Sequence, residues 1–265
     1  MKETLEAFER LNNIVKELRV KCPWDAGQTK ESIRHLSIEE VYELSDTILQ
    51  NDYPAMKEEL GDLMLHLMFY SNMAEEQGEF DLKAVLESQS EKLIRRHPHV
   101  YGSDDPDLAA LDTYEKVMGN WERIKARERK GAPKPKMTLD GVPESMPSLI
   151  KAYRMQQKAA SVGFDWEQKD EVWAKVKEEM AEFEEATSKE AQMDEMGDLL
   201  FSLINYCRFL KINPEDALEQ TNRKFKRRFE FVEQQAIASN REVAQLTLDE
   251  MEEFWKKAKA LEPNS

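Results

Sequence analysis

YPAMKEELGDLMLHLMFYSNMAEEQ, residues 53–77, decides the fold. Met56, Leu60, Leu63, Met64 and Leu67 recur at the three- and four-residue spacing of one helix face, so the stretch predicts a helix with that face buried. Residues 189–211, KEAQMDEMGDLLFSLINYCRFLK, repeat the pattern through Met193, Met196, Leu199, Leu200, Leu203 and Ile204. No stretch alternates convincingly with a strand's period of two, and glycine is scarce, at 9 of 265 residues. The expected class is all-α. Asn213-Pro214 reads as an N-cap followed by proline at the first helical position, and Thr247 with Glu250 reads as a capping box.

The segment GAPKPKMTLDGVPESMP, 131–147, holds Pro133, Pro135, Pro143 and Pro147, which remove helix hydrogen bonds. It is read as a linker between domains at 1–130 and 148–265. The two halves resemble each other. Trp24 pairs with Trp166, EEVYE (39–43) with EEMAE (178–182), and EELGDLM (58–64) with DEMGDLL (194–200). KLIRR (92–96) pairs with KFKRR (224–228), and Trp121 with Trp255. The offsets are 142, 139, 136, 132 and 134, in one collinear order, so the chain is read as an internal duplication.

Charge narrows the function. The formal net charge is -15, against the basic face that a nucleic-acid binder presents. A nucleic-acid polymer is not an expected partner, although metal ions could still bridge an acidic protein to anionic phosphates. Cys22 and Cys207 lie far apart without metal-ligand spacing, so neither a disulfide framework nor a zinc site is expected. The N-terminal stretch is charged throughout, unlike a signal peptide, and no apolar run approaches a membrane span. The expected place is the cytoplasm.

Each half carries the same acids: Glu39, Glu40, Glu43, Glu58, Glu59 and Asp62 in the first, and Glu178, Glu179, Glu182, Glu195 and Asp198 in the second. Residues three apart share a helix face, so neighbouring antiparallel helices would converge four carboxylates, a donor set suited to Mg²⁺. A lone ExxE is ordinarily a solvated surface pair, and Ser37 with Glu40 also reads as a capping box. Two features favour a metal site. The arrangement occurs twice, and Asp62 and Asp198 share stripes with apolar residues, Leu65, Phe69 and Met73 in one case and Phe201 and Phe209 in the other. Gly61 and Gly197 inside these helices point to close packing, because glycine costs about 1 kcal/mol there relative to alanine.

Lys224 and Arg228 lie one turn apart, as do Lys92 and Arg96, and could hold outer phosphates. Lys175 and Asn222 have Leu36 and Ser90 as first-half counterparts, so the second half holds the fuller phosphate-binding set. Trp255 could stack on a base or plug a core. His66 reads as structural, and His97 and His99 as phosphate donors or helix caps.

The motifs CPWDAGQT, EEVYEL, EELGDLM, KLIRRHPHVYG, GFDW, EEMAE, EMGDLLF, NRKFKRRF and EEFWKKAK resemble the MazG family of nucleoside triphosphate pyrophosphohydrolases from Thr4 to Lys259. The resemblance implies two tandem four-helix-type domains of the all-α NTP pyrophosphatase superfamily and a homodimer. It implies Mg²⁺-dependent cleavage of nucleoside triphosphates to monophosphate and pyrophosphate, with Mn²⁺ as a possible substitute. Glu179, Glu182, Glu195 and Asp198 match its metal positions, and Glu40, Glu43, Glu59 and Asp62 match them in the first copy. Lys175, Glu178, Lys224, Arg228 and Trp255 match its nucleotide contacts, and Asn222 is grouped with them by its place beside Lys224. The rival readings are a narrow dUTPase-like hydrolase and a non-catalytic helical scaffold whose acids are surface charge.

Overall fold

The computed structural model describes residues 1–102, 113, 116, 117 and 137–262. The chain divides into two compact units, Met1–Lys125 and Ala126–Ser265. Among the described residues there is no strand, and no helix is long and apolar enough to cross a membrane. Trp121 and the first six residues of the expected linker, 131–136, lie outside the described residues. The rest of that segment forms turns fastened to the second unit: Lys158 Nζ donates to the Thr138 carbonyl at 3.4 Å and to the Asp140 carbonyl at 2.5 Å.

The first unit comprises α1 (Lys2–Lys21), α2 (Pro23–Ala26), α3 (Arg34–Gln50), α4 (Tyr53–Glu76), α5 (Leu82–Arg96) and α6 (Pro98–Tyr101). Asn51 closes α3 in the left-handed region (φ 55°), and the Asp52 carboxylate caps α4 by accepting from the Ala55 amide at 3.1 Å. That two-residue link folds α3 and α4 into an antiparallel pair. The core gathers Val15, Ile33, Met68, Phe69 and Met73, with Phe8, Leu11, Leu36 and Leu65 against it. The buried face of α4 is therefore not the expected one: Leu60 and Leu67 are 51% and 57% exposed, and Met64 is exposed too. The helix is apolar on more than one face, and such a helix needs more than one partner. This unit covers only the Phe69–Met73 side.

The second unit comprises α7 (Ser148–Ala160), α8 (Lys169–Glu185), α9 (Lys189–Phe209), α10 (Pro214–Ala238), a 3₁₀ turn (Val243–Gln245) and α11 (Leu248–Leu261). The expected caps form. Asn213 Oδ1 accepts from the Glu215 amide at 3.1 Å, and Thr247 and Glu250 make a reciprocal box. Ser188 caps α9, so α8 and α9 repeat the α3–α4 hairpin. Helix α7 packs on both α9 and α10, and α10 pairs with α11 around Val232, Ala236 and Leu246. Met193 and Leu200 are exposed, which repeats the correction made for α4.

Candidate active site

The hairpins bring three of the four predicted metal-binding acids together in each unit, and Asp62 and Asp198 are not among them. Carboxylate oxygens of Glu40, Glu43 and Glu59 lie within 4.8 Å of one another, as do those of Glu179, Glu182 and Glu195. Ser37 lies inside α3, with its hydroxyl donating to the Ile33 carbonyl at 3.1 Å and 2.8 Å from Tyr70 Oη, so the alternative capping box with Glu40 does not form. Burial raises the Glu40 pKa, and the charges of Asp62 and Glu43 raise it further. Glu59 is raised by desolvation and then by Glu43, Glu40 and Asp62. In the second unit desolvation and the neighbouring Glu179 and Glu195 raise Glu182. Asp62 thus acts on the first cluster, but it is exposed rather than set into an apolar face, and so is Asp198. A Cβ built on Gly61 or Gly197 meets nothing within 4 Å, so the close packing expected there is not made among the described residues.

Glu179 is the buried member of its cluster. Lys175 Nζ lies 2.7 Å from Glu179 Oε1 and 2.8 Å from Glu178 Oε1, and those hydrogen bonds, Glu178 first, raise the lysine pKa. Lys175, Glu179 and Asp198 also line a cavity of about 360 Å³. Its other walls include Met155, Gln156, Phe164, Trp166, Phe201 and Asn205. Gly163, at φ +90°, turns the chain after α7 so that Phe164 and Trp166 reach this wall. Sequence reasoning missed Gln156, Ser202 and Asn205. A signal existed for two of them, because Glu195, Asp198, Ser202 and Asn205 are spaced three, four and three apart and form one polar row that runs into the apolar second half of the helix.

The other predicted nucleotide contacts, Asn222, Lys224, Arg228 and Trp255, gather elsewhere in the unit, and none of these four lines the cavity. The Arg228 guanidinium stacks on Trp255, 5.6 Å from ring centre, and its Nε donates to Glu262 Oε2 at 3.1 Å. Trp255 packs against Phe225 at 5.2 Å and against the α10–α11 core. Lys224 is exposed, and Asn222 Nδ2 donates to Glu219 Oε2 at 3.4 Å. His97 caps α5 through Nδ1, 2.7 Å from the Leu93 carbonyl, and His66 is buried, with its pKa lowered chiefly by burial.

The Glu262 clamp gives a pH prediction. Hydrogen bonds from Arg228, then Arg227, lower the Glu262 pKa from 4.5 to about 2. A depressed carboxylate adds stability that is fully present above the unfolded value and is lost as pH falls through the folded one. The difference in Tm between wild type and Glu262→Gln is expected to hold steady above pH 4.5 and to shrink towards pH 2. Thermal unfolding across that range checks it.

Both units match known families. Residues 28–101 match the model described as MazG nucleotide pyrophosphohydrolase domain, and residues 148–225 match the one described as Phosphoribosyl-ATP pyrophosphohydrolase. The chain is 40% identical over 261 residues to the nucleoside triphosphate pyrophosphohydrolase/pyrophosphatase MazG of Thermotoga maritima, covering 98% of each. The chain belongs to the MazG nucleotide pyrophosphohydrolase family. Another similar member, the nucleoside triphosphate pyrophosphohydrolase of Escherichia coli K12, is 39% identical over 267 residues, covering 97% of this chain and 99% of that one. The uncharacterized protein YabN of Bacillus subtilis is 42% identical over 264 residues, and the match spans 53% of its length. The two MazG-type domains fit the family's all-α fold, and each matched segment contains one acid cluster.

Proposed function

We propose that this family member hydrolyses nucleoside triphosphates to monophosphate and pyrophosphate at the second unit, with Mg²⁺, or Mn²⁺ in its place, on Glu179, Glu182, Glu195 and Asp198. The observation that carries this is the meeting of three features at one place: a three-carboxylate cluster, the Lys175 ammonium and a largely apolar cavity, joined through Glu179. The donor set fits the ion. All its donors are oxygens, the ligand atoms Mg²⁺ takes, and the Glu182 pKa is raised by desolvation and then by the charges of Glu179 and Glu195, a repulsion that a cation would relieve. Bound there, the ion would supply charge neutralisation on the phosphates and a more acidic water.

The protein's own groups do the rest. Lys175, held between Glu178 and Glu179, offsets phosphate charge at the cavity wall. Glu178 positions Lys175. Lys224 and Arg228 remain the proposed outer-phosphate contacts beside Asn222, with Trp255 seating the Arg228 guanidinium. Glu40, Glu43, Glu59 and Asp62 form a second cation set. Specificity is broad across bases. A nucleotide panel on wild type, Glu40→Gln and Glu179→Gln tests these points together. Pyrophosphate release from several nucleotides, lost in Glu179→Gln alone, supports the proposal. One dominant nucleotide would favour a narrow dUTPase-like enzyme, and absence of any Mg²⁺-dependent release or thermal shift would favour a scaffold.

The proposed assembly is a homodimer. The acid-bearing hairpins leave apolar side chains exposed, Val41, Leu60 and Leu67 in one unit and Met193 and Leu200 in the other, and a second copy would cover them. Gly197→Ala separates the cases. In a monomer the open space at that position makes the change stabilising by about 1 kcal/mol. In a dimer that closes over Gly197, the added methyl is expected to weaken association, read by sedimentation over a concentration series.

A further inference from the structure

We infer that the cavity of the second unit is the nucleobase subsite and that Gln156 reads the edge of the base; this rests on the nucleotide-hydrolase proposal above. Gln156 stands on α7 and is 7% exposed. Its Nε2 donates to the Phe201 carbonyl at 2.7 Å. A carbonyl only accepts, so this contact fixes which way the amide faces. The remaining oxygen, Oε1, is buried without a hydrogen-bond partner among the described residues. Leaving a buried acceptor unpaired is unfavourable, because its water is lost and nothing replaces it. A ligand donor arriving in the adjoining cavity would satisfy it.

The surroundings fit a flat, apolar-faced ring with polar edges. Phe164, Trp166, Phe201 and Met155 supply the apolar walls. Asn205, also buried, supplies the opposite polarity: its Oδ1 accepts from Arg208 Nε at 2.9 Å, which leaves its amide NH₂ to donate. Arg208 Nη1 also donates to Asp165 Oδ2 at 2.9 Å, fixing the loop that carries Phe164 and Trp166. A base in this chamber would leave its phosphates toward Lys175, Glu179 and Asp198 on the same cavity. About 360 Å³ lies within the usual range for small-molecule sites.

The duplication provides an internal control. At the offset of 136 that aligns the two GDL motifs, Phe201, Ser202 and Asn205 correspond to Leu65, His66 and Phe69. Phe69 is buried in the first unit's core with Met68, Val15 and Ile33. The first copy keeps the acids but places an apolar core side chain where the second has the Asn205 amide.

The test compares kcat/KM for a panel of nucleoside triphosphates and for base-free ribose 5-triphosphate, using wild type and Gln156→Leu with Mg²⁺. The expected result is a loss of about tenfold or more on the preferred nucleotide, carried mainly by KM, with compressed ratios between bases and an unchanged rate on ribose triphosphate. Ala159→Leu, which narrows the same cavity, is expected to slow nucleotides more than ribose triphosphate. Equal losses on both substrate types, or unmoved base ratios, would overturn the inference while leaving the hydrolase proposal intact. A wild type that cleaves no nucleoside triphosphate would remove both.

Discussion

Glu179→Gln is expected to lower pyrophosphate release from nucleoside triphosphates with Mg²⁺ by about 10²-fold or more, whereas Glu40→Gln has a much smaller effect. Glu179 is the one residue shared by the second acid cluster, the Lys175 ion pair and the cavity. It is 6% exposed, so water replaces little of the charge it provides. The amide keeps the shape, and Lys175 retains Glu178 at 2.8 Å, so the fold should survive. Burial and then the like charges of Asp62 and Glu43 already raise the Glu40 pKa, and its neutralisation relieves both in the metal-free protein. Steady-state kinetics with circular dichroism on both variants decides the matter. Equal losses would move the main site to the first unit or spread it over both.

Met68→Ala is the largest expected effect on stability. Met68 is 0% exposed at the centre of the Val15–Ile33–Phe69–Met73 cluster. Truncating such a side chain costs about 2–5 kcal/mol through lost burial and the cavity left behind. A domain holds only about 5–15 kcal/mol in total, so a Tm drop on the order of 10 °C or more is expected for the first unit. Leu67→Ala, one residue away and 57% exposed, removes little within the chain. Calorimetry of the two variants separates them. Similar losses for both would show that the Leu67 face is covered, as a second copy would cover it.

Much of this was legible in the residues. Period-3.6 apolar spacing marked α4 and α9, cap chemistry marked the starts of α10 and α11, and the repeated acids marked both clusters. Spacing reports that a helix has an apolar face but not what covers it. That is why Leu60, Met64 and Leu67 were expected inside and lie outside, and why Gly61 and Gly197 face open space. The polar row of Asp198, Ser202 and Asn205 was readable, but its meaning depended on Gln156 arriving from α7, 45 residues earlier than Phe201. No local pattern reports a pairing at that range. The same holds for Arg228, whose partner Glu262 is 34 residues away and turns a presumed free cation into one end of a clamp.

The most direct test of the second unit as a metal-dependent pyrophosphohydrolase is product identity by phosphorus NMR, with Mg²⁺ and with chelator. Equal amounts of nucleoside monophosphate and pyrophosphate, formed only with Mg²⁺, are the predicted result. Nucleoside diphosphate with inorganic phosphate, or products that persist in chelator, would contradict it.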